Sequence, residues 1–246
     1  MSEEIKETST AENTEEKQEE SKGFMSDKKV EVLVAIFLGI TAILTAWASW
    51  IGSLHGGNQA TNYTKSNNLS SEGNSEYNAG MQIYLSDQLA WNTMMEYNFD
   101  MELAHAKGDE LEAAFIEEKL NSFIEQNCSE IMANAFEKMT DDMSSPFEVE
   151  GMMDEYFANA NALLEESQSL LEEGQRDNSS GDSFNLVNVI YSIVLFMLGI
   201  IGVFKKIPNR FAVLCIAVVC LIIATVYMIT LPMPTGFSFA NFFGGN

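Results

Sequence analysis

Histidine and cysteine are scarce in this chain, strand-like alternation is missing, and long stretches hold no charge at all. With two histidines in 246 residues, no Ser or Cys nucleophile comes with a plausible histidine base, and no zinc-ligand spacing or glycine-rich phosphate loop occurs. An enzyme is not expected, and no cofactor is called for. The three cysteines make no disulfide framework. Cys215 and Cys220 lie in an apolar run, where thiols act as small hydrophobes, and Cys128 stands alone as a buried thiol or an intersubunit link. Basic residues number 13 against 36 acids. Phosphate binding needs clustered Lys and Arg, so nucleic acid is not a partner.

Charge is absent from residues 32–51, 184–204 and 211–231. Each run is about the ~20 residues that cross ~30 Å of hydrocarbon at 1.5 Å per residue. The last two are divided by a short turn at 205–210, so they form an antiparallel pair. A water-soluble fold of this size could hardly bury both on every face. The expected class is all-α, an integral membrane protein with three transmembrane helices, at 30–54, 184–204 and 211–231.

Three regimes of charge surround the spans. Residues 1–31 hold ten acids and five lysines, and 1–27 lack the apolar surface to offset the entropy of ordering, so a disordered tail is expected. Residues 55–182 hold 26 acids and five basic residues. Lys205, Lys206 and Arg210 supply the rest of the positive charge. Lys28 and Lys29 precede the first span, and the other basic cluster separates the second and third. With three spans the two clusters share a side, and the positive-inside rule makes it cytoplasmic. The middle, 55–183, and the tail, 232–246, then lie outside. Trp47 and Trp50 mark the far interface of the first span. Ala46-Trp47-Ala48 resembles a cleavage site, but the long acidic tail ahead of the lysines and the length of the apolar run favour an uncleaved anchor.

The middle reads as helices with interruptions after Gly56 and Gly57. One apolar stripe runs through Tyr77, Met81, Tyr84, Trp91, Met95 and Phe99. Gly108 and Asp109 end that helix and begin another, carrying Leu111, Phe115, Leu120, Ile124, Ile131 and Ala135. A break at 141–146 precedes a third helix over about 147–174, and 175–182 reads as a polar loop into the second span. The chain must leave and re-enter the same membrane face. Three helices close that path only if the chain breaks again near 70–74, giving a four-helix bundle, or if the first span continues outward as one long helix in a coiled-coil-like stalk.

Polar residues recur within the spans. Asn185, Asn188 and Ser192 follow steps of three and four, and Thr41, Thr45 and Ser49 steps of four. In lipid such groups bond across helices or line a path through an oligomer. With Trp47, Trp50, Gly56 and Gly57 they are expected to set the packing of the first span on the second. Glu102 and His105 match half of a carboxylate-bridged metal motif without the second half, so they are a weak metal candidate.

Ala46-Trp47-Ala48-Ser49-Trp50 through Gly56-Gly57 to Tyr63, Gly181-Asp182-Ser183-Phe184-Asn185-Leu186, and Arg210 resemble an uncharacterised family of bacterial three-span membrane proteins. The resemblance implies one N-terminal span, a helical middle, a C-terminal pair of spans and a bacterial plasma membrane. It assigns no catalytic or binding residue. The expected function is a membrane-anchored helical module for assembly, scaffolding or sensing. It would sit in the lipid bilayer as a homo-oligomer, with cations or a basic protein at its acidic exterior. The alternative is an oligomeric ion-conducting channel.

Overall fold

The computed structural model describes residues 27–204 and 210–237. Among the described residues five α-helices follow in order: α1 (Asp27–Lys107), α2 (Glu110–Asn127), α3 (Glu130–Lys138), α4 (Met152–Val203) and α5 (Arg210–Thr230), with a 3-10 turn at Pro146–Glu148 before α4. No strand occurs among the described residues. Three of the helices, α1, α4 and α5, are long and apolar enough to cross a membrane. The acidic tail, Lys205 and Lys206 lie outside the described residues.

Two compact units are present, one from Met1–Thr61 and Glu173–Asn246, the other from Asn62–Glu172. In the first, buried positions on α4 fall at Phe184, Val187, Tyr191, Val194, Leu198 and Ile201, and on α5 at Leu214, Ala217, Leu221, Ala224 and Met228. These alternating steps of three and four keep one seam of each helix on its neighbour. Val34, Thr41, Ala48 and Ile51 of α1, at steps of seven and three, complete the core. The outward faces are apolar too, with Ile43, Phe196 and Ile229 about 70 % exposed (72, 69 and 72 %). Helices that are apolar on every side suit a lipid surround.

Few polar atoms lie within this core, and most are satisfied locally. Thr41 Oγ1 donates to Phe37 O and Thr45 Oγ1 to Thr41 O, both at 2.7 Å. Tyr191 Oη meets Thr225 Oγ1 at 3.1 Å, and the Thr225 hydroxyl donates to Leu221 O at 2.8 Å. The threonine proton is thus committed, so Tyr191 is the donor between α4 and α5. Close approach of α1 and α4 occurs at Gly52, where an added Cβ would stand 3.3 Å from Phe184 Cβ.

The second unit is built on a different seam. Ser66, Gly73, Gly80, Asp87 and Met94 of α1, spaced by seven, are buried, as are Ala160 and Ser167 of α4. Small residues let the two backbones come close. A Cβ at Gly80 would stand 2.2 Å from Tyr156 O, and one at Gly73 2.9 Å from Leu164 Cγ. Ser167 Oγ donates to Ser66 O at 2.8 Å, so the 3.1 Å contact between the two hydroxyls has Ser66 as donor. A core of Met94, Leu120, Met132, Ala135, Val149, Met152 and Tyr156 joins α1, α2, α3 and α4.

Several expectations are corrected here. No break occurs near 70–74 and no loop at 175–182; both stretches are helical, because Gly73 packs in the seam and Asp177 and Gly181 lie on the buried side of α4. α1 is one continuous helix over Asp27–Lys107. Tyr77, Met95 and Phe99 are exposed rather than forming a core stripe, as are Leu111 and Phe115. The second helix divides at Cys128 and Ser129, where the Ser129 hydroxyl caps α3 by accepting from Met132 N at 3.2 Å. The third begins at Met152 and runs on to Val203. The stop at Gly108 is as expected: its φ is +79°, and Asp109 caps α2 by accepting from Glu112 N at 3.1 Å.

Candidate functional site

The polar end of the membrane-type unit gathers α1, α4 and the segment after α5. His55 lies seven residues beyond Ala48 and Asp177 seven before Phe184, so the repeat that buries apolar residues buries these two as well. Their relative exposures are 2 % and 7 %. His55 Nδ1 stands 2.8 Å from Asp177 Oδ1, and Nε2 stands 3.1 Å from Pro232 O. The ring stacks on Phe184 with centroids 5.7 Å apart.

Both ring nitrogens therefore face oxygens. A carbonyl can only accept, so Nε2 carries a proton. The second contact is a hydrogen bond only if one more proton is shared between Nδ1 and the carboxyl. The site is satisfied as imidazolium with carboxylate, or as imidazole with carboxylic acid. Either form ties α1, α4 and the C-terminal segment together in one low-dielectric place, where a bond to a charged group contributes more than in water.

Further contacts hold the same segment. Asn58 Nδ2 donates to Thr235 O at 3.2 Å. Phe237 meets the edges of Trp47 and Trp50, at centroid distances of 6.2 and 5.7 Å, and the two indoles lie 5.4 Å apart. Trp47 and Trp50 thus clamp the tail. Gly56 and Gly57 are exposed helical residues with open space at Cβ, and close contact between α1 and α4 in this unit falls at Gly52 and Gly181.

The polar residues singled out from the spans separate. Thr41 is fully buried and Thr45 half-buried, each bonded to its own helix. Asn188 is half-buried, and its Oδ1 is shielded without a hydrogen-bond partner among the described residues. Ser49, Asn185 and Ser192 lie on the outer surface, Ser192 Oγ donating to Asn188 O at 2.8 Å. Lys28 and Lys29 are exposed. Arg210 is buried, and its Nη2 donates to Ile201 O at 2.8 Å, meeting one of the last carbonyls of α4 where a cation complements the helix dipole. Glu102 and His105 are exposed; His105 Nδ1 lies 3.1 Å from Glu110 Oε2. No group of three or more His, Cys, Asp or Glu side chains that could hold a metal occurs among the described residues.

A second buried polar cluster lies in the acidic unit. Asp87, 1 % exposed, accepts from Ser129 N at 2.9 Å, from the Ser129 hydroxyl, and from Tyr156 Oη at 2.7 Å. Burial, and then the hydrogen bond to Asp87, push the Tyr156 phenol well above its ordinary range. Burial followed by the Asp87 charge raises the Cys128 thiol, whose Sγ lies 3.8 Å from Met94 Sδ. These groups stay protonated, and the cluster fixes α1, α3 and α4 rather than offering a nucleophile. Compared with known proteins, the chain matches no family model, and no curated protein or solved structure is significantly similar to it.

Proposed function

We propose that this chain is a membrane-anchored helical module that assembles and positions other components at the outer face of a bacterial plasma membrane, without catalysing a reaction itself. The observation that carries this reading is the build of α4, a single helix of 52 residues in which acidic turns lead without a break into the apolar seam of 184–201. A membrane-length segment and an interaction-length segment on one helix suit an anchor with an outer extension. Lys28, Lys29 and Arg210, with Lys205 and Lys206, favour a cytoplasmic N-terminus, and the resemblance to three-span bacterial proteins points the same way.

Self-association through the spans is supported by Ser49, Asn185 and Ser192, which stand exposed where lipid offers no hydrogen bonds. Such groups tend to find partners on a second copy. The same residues favour a second reading, an ion-conducting oligomer in which they line the path and the acidic unit concentrates cations.

Light scattering of the detergent-solubilised chain, with protease digestion of intact spheroplasts, tests the proposal. A discrete oligomer above 27.3 kDa whose middle is cut from outside is expected. A strict monomer cut only from the cytoplasmic side would overturn it. Single-channel current in planar bilayers, altered by Asn185→Leu or Ser49→Ala, would move the reading to the channel.

A further inference from the structure

In the acidic unit, α1 carries an apolar ridge that nothing among the described residues covers. Leu85, Leu89, Met95, Phe99 and Leu103 are all exposed, Leu89 by 69 % and Phe99 by 67 %. At about 100° and 1.5 Å per residue they occupy roughly a third of the helix circumference and about 27 Å of its length. The fold does not use them, because Ala90, Met94 and Ala104 on the other side of α1 supply its buried face. A line of five large exposed apolar side chains on one helix is the mark of an interaction surface.

The chemistry of its occupant follows from the acids around it. Glu96, Asp100 and Glu102 are exposed, the first within the ridge and the other two on opposite sides of it. A surface hollow of about 390 Å³ is bounded by Met95, Glu96, Phe99 and Asp100. A thioether and an aromatic ring beside two carboxylates fit a side chain with an aliphatic stem and a cationic head. Residues 62–172 hold 23 acids against four lysines. A second copy apposed on this face would set like charge against like charge, and an anionic lipid surface would be repelled in the same way.

We infer that this ridge docks a cationic amphipathic helix of another protein, its apolar face along Leu85 to Leu103 and its Lys or Arg heads on Glu96 and Asp100. A helix of about 18 residues matches the length of the ridge. The inference rests on the assembly reading above, since the ridge and its partner must share a compartment.

The test uses the full chain in nanodiscs of zwitterionic lipid, with empty discs as the blank, and a labelled 18-residue Leu/Lys amphipathic peptide as probe. Micromolar binding is expected for this peptide and none for its Leu/Glu counterpart. Phe99→Glu with Leu103→Glu adds negative charge and should still weaken binding at least tenfold, with the helical circular-dichroism signal unchanged. Glu96→Gln with Asp100→Asn keeps the ridge and should weaken binding several-fold at low salt. Binding that holds or tightens in Phe99→Glu with Leu103→Glu would reduce the effect to general charge attraction and overturn the inference. So would a doubling of native mass abolished by the same pair, which would make the occupant a second copy. Loss of this inference alone leaves the native mass and protease pattern intact, whereas failure of the assembly reading alters them.

Discussion

Tyr156 and Asp87, 69 positions apart in the chain, meet at 2.7 Å, and the same carboxylate also receives the Ser129 backbone amide at 2.9 Å. One buried acid thereby joins three helices of the acidic unit. Asp87→Ala leaves the phenol and the amide without their acceptor, and each buried orphan costs about 1–3 kcal/mol. A loss of roughly 3 kcal/mol is expected, against about 1–2 kcal/mol for Tyr156→Phe. Hydrogen exchange at the start of α3, where Ser129 is the cap, should rise in Asp87→Ala. A thermal midpoint for Asp87→Ala equal to that of the parent would remove the cluster from the list of what holds this unit.

The raised Tyr156 phenol gives stability a pH dependence of known sign. The folded state keeps the proton more tightly than the unfolded state, whose tyrosine ionises near its ordinary value of 10.0. Its contribution is complete below about pH 10 and is lost as pH climbs from there toward the raised folded value. Denaturation midpoints of the full chain in detergent should fall more steeply between pH 9.5 and 11 (an assay window of about 1.5 units around the free phenol) than those of Tyr156→Phe. Parallel curves would contradict this.

Glycines within one helix should divide sharply. Gly80→Ala puts a methyl 2.2 Å from Tyr156 O, so α1 and α4 must part there. A cost above about 2 kcal/mol is expected, in the range of overpacked cores. Gly56→Ala and Gly57→Ala meet open space and should gain up to about 1 kcal/mol each from helix propensity. Calorimetry of the three variants reads the contrast directly.

His55 is expected to behave as half of a unit with Asp177. His55→Leu strands the Asp177 carboxyl, and removal of one partner from a buried pair costs about 3–5 kcal/mol. His55→Leu with Asp177→Leu should regain most of that loss. Trp47 and Trp50 report on the C-terminal segment: in a Trp91→Phe background, a chain ending at Leu231 should change its tryptophan emission, since Phe237 no longer meets either indole. Unchanged emission would mean that the segment is not held there.

The three apolar segments and the stop at Gly108 were legible because each rests on a local rule, whether hydrocarbon thickness or a glycine at positive φ. The seam of the acidic unit was not. Ser66, Gly73 and Gly80 carry no bulk, so a search for large apolar residues follows Tyr77, Met95 and Phe99, which the fold leaves exposed. Gly73, read as a breaker, is held in a helix by what packs on it. His55, Asp177 and Asp87 were hidden for a related reason: each is a polar residue at a position where the seven-residue spacing buries the side chain. That register was the signal available, with Ala48 before His55, Phe184 after Asp177, and Gly80 and Met94 on either side of Asp87.

The glycine seam also limits how the length of this protein can change over time. One residue inserted between Gly73 and Gly80 would turn everything beyond it by about 100°, bringing Ala79 to the place of Gly80, where a Cβ would stand 2.2 Å from Tyr156 O. Seven inserted residues would restore the face of α1, but α4 would then need seven of its own to keep its contacts opposite. The helical pair can thus lengthen or shorten only by matched steps of seven on both helices. The exposed turn around 140–145, which carries no such seam, is free to vary one residue at a time.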